Sequence, residues 1–148
     1  MARFTFRLQS YLSVKEQMEE QKKSEYGQAI IRLEEERQRL LVLQNELEEN
    51  VRLFKKALTT AIVAVEIRRY NNRLELLKVW IVEQEAKVIA AEQYVEKKRL
   101  ELVEAMKDRK ALETVKERNY EEYLIEEQRA DQTVVDGIVS YKYATREG

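Results

Sequence analysis

Ile67, Tyr70, Leu74, Leu77, Ile81, Gln84, Val88, Ala91, Val95, Lys98, Leu102, Ala105, Arg109 and Leu112 follow one another in unbroken alternation of three and four residues. That spacing keeps one face of a helix turned towards a partner and is the seam of a coiled coil. Upstream, a second seam runs through Phe4, Leu8, Tyr11, Lys15, Met18 and Lys22, then through Tyr26, Ala29, Leu33, Glu36, Leu40, Leu43, Leu47, Asn50 and Phe54. Between its two parts, at Lys22 to Tyr26, a four-residue step is inserted, which reads as a stutter that unwinds the supercoil locally. No segment alternates convincingly with a period of two, so strands are not expected.

If the chain reverses near residue 60, residues facing each other across the two seams have numbers with a nearly constant sum. Phe54 then faces Ile67, Leu47 faces Leu74, Leu40 faces Ile81, Leu33 faces Val88, Met18 faces Leu102 and Leu8 faces Leu112. Polar residues coincide in the same register, Glu36 against Gln84 and Asn50 against Tyr70, and such layers fix register at some cost in stability. Lys22 meets Lys98, a like-charge layer tolerable only if both stems lie buried and the ammonium groups reach water, so this region should be the looser part.

The expected fold is therefore all-α: a long antiparallel two-helix coiled coil, or helical hairpin, whose second helix is longer than the first. Helix 1 should cover about 4–57, the turn about 58–63, helix 2 about 64–139 and a disordered end about 140–148, in one domain of 148 residues. At 1.5 Å per residue the arms would measure about 80 Å and on the order of 110 Å, leaving residues from about Glu117 onward as an overhang of roughly 30 Å. An overhang carrying Tyr120, Tyr123, Leu124 and Ile125 either frays, dimerises or binds a partner.

Pro is absent, Gly occurs three times and 37% of residues are charged, so the punctuation of a multi-element globule is missing. Against that background Leu58 to Ile67 is an apolar island, but it has about half of the roughly twenty apolar residues a membrane span needs. It is expected to close the hairpin, with Thr59 and Thr60 as the local cap candidates. Without Cys or His the chain lacks the usual thiol, metal-ligating and acid/base groups, and no enzyme activity or cofactor is expected. Glu34 to Glu36 and Glu46, Glu48 and Glu49 read as solvated faces paired with bases, such as Glu35 with Arg39, rather than as metal ligands. A net charge of −1 with interspersed signs offers no stripe for nucleic acid and no cationic face for lipid. The amino terminus lacks the apolar run of a secretory signal, so a cytoplasmic protein is expected.

Trp80, the only tryptophan, lies one residue before the seam position Ile81 and one turn after Leu76. It either folds over Leu40 and Leu41 or offers an indole for docking, and one ring face can do each.

The chain resembles the flagellar FliJ family of the bacterial flagellar type III export apparatus. The resemblance rests on Phe4-x-Phe6-Arg7-Leu8-Gln9-x-x-Leu12 with Lys15-Glu16, on Glu66-Ile67-x-x-Tyr70-Asn71 with Leu74, Leu77 and Ile81, and on Glu117-Arg118-x-x-Glu121-x-Tyr123 with Glu127-Gln128 and Asp136. It implies a rod similar to the coiled-coil gamma stalk of rotary ATP synthases. The partners it implies are the flagellar export ATPase, whose hexameric ring the rod promotes or occupies, the cytoplasmic domain of the export gate protein, and export chaperones. It also implies a place peripheral to the inner membrane through that apparatus, and a role in flagellum biogenesis and motility. The ATPase end is assigned to Phe4, Phe6, Leu8, Tyr120, Tyr123 and Leu124. The resemblance places the gate surface at Leu43, Leu77, Trp80 and Gln84, although Arg73 stands where an apolar residue would be expected. Gly137 replaces an expected acidic residue and should stop the terminal helix nearby. Because the seam closes within one chain, a monomer is expected when free. The alternatives are the stalk of a virulence type III secretion system and a passive homodimeric spacer.

Overall fold

The structure, a computed structural model, describes residues 3–146. Two helices, α1 over Gln9–Ala57 and α2 over Ala64–Arg146, run antiparallel as a two-helix coiled coil, with α2 the longer and no strand among the described residues. Long stretches of Glu, Lys, Arg, Leu, Ala and Gln, uninterrupted by Pro, let each helix propagate once nucleated.

The reversal between them needs no glycine, and no described residue has a positive φ. Thr59 and Thr60 do act as caps, but on the carboxyl end of α1: their hydroxyls donate to the carbonyls of Lys56 and Ala57 at 2.6 and 2.9 Å. Their backbone amides donate to the same two carbonyls, so α1 ends with these acceptors satisfied. Lys55 and Lys56 in its last turn and Glu66 in the first turn of α2 complement the helix dipoles. Leu58, Val63 and Val65 remain exposed, which makes the apolar island a solvent-facing cap on the turn rather than a buried core.

Contacts among the described residues fall into two compact units. The first is Gln21–Val103, which holds the turn. Its partners across the two helices are Lys22 with Glu101, Arg37 with Glu92, Glu36 with Gln84, Glu46 with Arg73, and Phe54 with Tyr70. From Lys22 with Glu101 to Phe54 with Tyr70, higher numbers on α1 meet lower numbers on α2, as the antiparallel register requires. Leu33, Val88 and Ala91 form the buried cluster, with Leu40 and Val95 packed against it, and Leu77 is fully enclosed. The expected Glu36 and Gln84 layer is present and buried: the Gln84 amide donates to the Glu36 carboxylate and, at 3.0 Å, to the Glu36 carbonyl. Asn50 and Tyr70 are both half-buried and line one groove; the Asn50 amide donates to the Glu46 carbonyl at 2.7 Å, and Tyr70 stacks on Phe54.

The second unit comprises the described residues up to Glu20 and those from Glu104. Here the seam passes through Leu12 and Glu19, both buried, while Tyr11 and Met18 are 65% and 41% exposed. Read through Leu8, Leu12, Lys15, Glu19, Lys22, Tyr26 and Ala29, the steps alternate four and three without interruption, so the stutter comes from counting from Phe4, which precedes α1. Glu19 can occupy a buried position because Arg109 donates to it, and Arg109 also holds Glu113 at 2.7 Å.

Two helix boundaries also differ from expectation. Helix 1 begins at Gln9 rather than near residue 4. Phe4 and Phe6 would point to different faces of a helix, whereas in an extended segment they fall on the same side and both reach α2. Helix 2 continues through Gly137 to Arg146, so residues 140–146 are helical, and Glu147 and Gly148 lie outside the described residues. One glycine costs about 1 kcal/mol against Ala, less than the cost of nucleating a new turn beyond a break. In urea unfolding followed by helical dichroism, Leu77→Ala should cost about 2–5 kcal/mol, while Leu76→Ala, at an exposed position, should cost well under half of that.

Candidate partner-binding sites

The residues before α1 lie along α2. Phe4 meets Tyr120 edge-on at 5.2 Å between ring centroids and Tyr123 at 5.4 Å, and the two tyrosines stack at 6.3 Å. Burial pushes the Tyr123 phenol above its ordinary value, with the Glu127 carboxylate adding to the shift. Phe6 is buried beneath Lys116, whose ammonium sits 6.0 Å from the ring and donates to Gln9 at 2.8 Å. Of the six residues assigned to the ATPase end, Phe4, Tyr120 and Tyr123 thus form one aromatic patch, Phe6 is buried, Leu8 is half-buried just before α1, and Leu124 is exposed. Two neighbours were missed. Lys116, one turn before Tyr120 on the same face, was findable from its four-residue spacing; Ile125, exposed at 48%, was named in the overhang but left out of the site.

The residues assigned to the gate surface divide differently. Leu77 and Gln84 are buried in the seam, Leu43 is half-buried, and Trp80 is 37% exposed. On α1, Leu40 is half-buried and Leu41 stays exposed. A groove is lined by Gln38, Arg39, Val42, Leu43 and Gln84. Arg73, out of place by the family pattern, reaches towards Glu46 on α1 at 3.9 Å and lines a second groove with Asn50, Glu66, Arg69 and Tyr70.

Among the described residues no group of three or more His, Cys, Asp or Glu is placed to hold a metal. The acidic clusters engage other residues: Glu49 accepts from Arg52 at 2.6 Å, Gln38 donates to Glu34, and Arg39 pairs with Glu36 at 3.0 Å rather than with Glu35. Glu36 is the better partner because its buried carboxylate needs a counter-charge. Among the described residues, no helix is long and apolar enough to cross a membrane.

The Lys22 and Lys98 layer is resolved by two residues the seam reading passed over. Glu25 and Glu101 alternate with the lysines in a closed ring, with Lys22 at 3.2 and 3.3 Å from the two carboxylates and Lys98 at 3.4 and 3.1 Å. Hydrogen bonds from Lys22 and Lys98 hold Glu25 and Glu101 below their ordinary range, and the same bonds raise both ammonium groups. A region expected to be loose is instead an electroneutral clasp, legible from the Lys-x-x-Glu spacing on both helices.

The family described as "Flagellar FliJ protein" matches residues 4–148. The chain belongs to the flagellar FliJ family. Membership makes it a type III export apparatus component. No curated protein matches the chain. Among solved structures, the chain is similar to that of a putative YscO homolog from Chlamydia trachomatis, with 19% identity, 98% of each chain covered and a TM-score of 0.47.

The charge clasp gives a pH signature for this FliJ-family chain. Lowered carboxyl values stabilise the folded state above pH 4.5 and are lost as pH falls through the folded values; raised lysine values stabilise it below pH 10.5 and are lost above. The urea midpoint should therefore be flat between these limits and drop outside them. The double variant Glu25→Gln, Glu101→Gln should lower the plateau and flatten the acid limb.

Proposed function

We propose that this protein serves the flagellar export system as a stalk-like binding module, without catalysis of its own. In this reading its aromatic end engages the export ATPase ring and promotes the assembly or activity of the ring. The surface around Trp80 meets the cytoplasmic domain of the export gate protein, and export chaperones associate with the same molecule. The protein works in the cytoplasm, peripheral to the inner membrane through the apparatus it binds. The family's flagellar description favours this version over a virulence secretion stalk.

The observation that carries the reading is the aromatic patch of Phe4, Tyr120 and Tyr123 leading directly into exposed Leu124 and Ile125. Packing the first residues of the chain against α2 makes a rigid aromatic platform, and aromatic anchors at the centre of an interface supply most of its energy. Trp80, one turn from buried Leu77 and from buried Gln84 along α2 yet over a third exposed, is the aromatic candidate at the other surface.

Titrating the protein into its cognate export ATPase should raise ATP hydrolysis or ring formation, and no change at saturation would reject the assignment. Truncation after Asn119 should abolish that effect while the Gln21–Val103 unit keeps its helicity; full stimulation by the truncated chain would move the contact elsewhere. For the gate, Trp80→Ala should weaken binding of the cytoplasmic gate domain by at least about tenfold in calorimetry, with unfolding little changed.

A further inference from the structure

Every described residue from Gln128 to Arg146 is exposed, among them Val134, Val135, Ile138 and Val139 at 61, 50, 52 and 56%. At 3.6 residues per turn, Asp131, Val135, Ile138 and Lys142 lie along one stripe, with Val134 and Val139 flanking it and Thr133, Asp136 and Ser140 on the far side. Four aliphatic side chains within six residues of a solvated helix are a face that lacks its partner.

The charges around this face name the partner. About the peptide bond between Asp136 and Gly137, four residue pairs on and beside this stripe are mirrored, two apolar with apolar and two of opposite charge. Val135 mirrors Ile138, Val134 mirrors Val139, Asp131 mirrors Lys142, and Glu127 mirrors Arg146. A second copy laid antiparallel, related by a two-fold axis at that bond, sets each residue against its mirror twice, as an isologous contact must. The aliphatic side chains then meet in the middle, bracketed at both ends by opposite charges. Parallel pairing would stack Asp131 on Asp131 and Lys142 on Lys142. Within the chain, Asp131, Lys142 and Arg146 make no ion pair among the described residues, so their charges are available for this contact.

We propose that two copies of this chain associate through their carboxyl-terminal tails, residues 127–146, as a short antiparallel coiled coil. The two-helix hairpin closes its own seam without a second chain; only the tail calls for one. The contact spans under three heptads, so the dimer is weak and concentration-dependent, and its charged brackets make it stronger at low salt.

Sedimentation equilibrium of the full chain tests this, with loading varied about a hundredfold to move the mass-action balance. A monomer–dimer equilibrium is expected, with Ile138→Lys raising the dissociation constant at least about tenfold at unchanged helicity. Glu127→Lys with Asp131→Lys, and separately Lys142→Glu with Arg146→Glu, should each weaken self-association, and an equimolar mixture of the two variants should pair at least as tightly as the unmodified chain. Direction is read by oxidising Val135→Cys mixed with Ile138→Cys, which should give the mixed disulfide in excess. A chain that stays monomeric throughout, a dimer indifferent to Ile138→Lys, a mixture no tighter than its components, or a preference for homodisulfides would each overturn the proposal.

Discussion

Everything in this fold depends on keeping a narrow seam dry. A pair of helices has one contact stripe and no second layer behind it, so the interior is a single file of residues and each one that is polar has to be answered locally. Within Gln21–Val103 the seam answers Glu36 with Gln84 and Arg39, and interleaves Lys22 and Lys98 with Glu25 and Glu101. In the unit built from the two chain ends, Glu19 is answered by Arg109. No buried side-chain nitrogen or oxygen among the described residues is left without a hydrogen-bond partner. These pairings choose a register that aliphatic residues alone would leave free to slip, because a slip would strand a charge against an apolar layer.

The same economy explains where surfaces for partners arise. A two-helix fold cannot bury all of its large side chains, and those outside the seam stay on show. Ile30 and Ile31, and Val79 and Val82, are among them. At the chain ends, however, Phe4 and Phe6 leave the helical path to cover α2, and the aromatic platform they make stands beside exposed Leu124 and Ile125. Trp80 stays over a third exposed on a helix whose Leu77 and Gln84, one turn away on either side, are buried.

Much of this was legible beforehand. The Ile67 to Leu112 seam, the turn near residue 60 and the Glu36 and Gln84 layer all follow from spacing, since a strict three-four alternation admits few other folds. Tyr11 and Met18 were preferred to Leu12 and Glu19 because the count began at Phe4, which precedes α1, and Glu19 is buried by virtue of an arginine ninety residues away in sequence. The clasp was missed because Lys22 and Lys98 look repulsive until Glu25 and Glu101 are brought beside them. Among the site residues, the enclosure of Leu77 and Gln84 follows from their seam positions, while the packing of Phe4 on Tyr120 and Tyr123 does not, because helical spacing had left both tyrosines on a free overhang.

By itself the sequence determined the secondary structure, the antiparallel pairing and the family, because helix propensity and heptad spacing are local properties repeated over many residues. Only the tertiary structure decided which polar residues enter the seam, where α1 begins and which carbonyls Thr59 and Thr60 cap. Those outcomes turn on partners distant along the chain or on backbone geometry at a reversal, and a charge or hydroxyl carries no local mark of the group that will answer it.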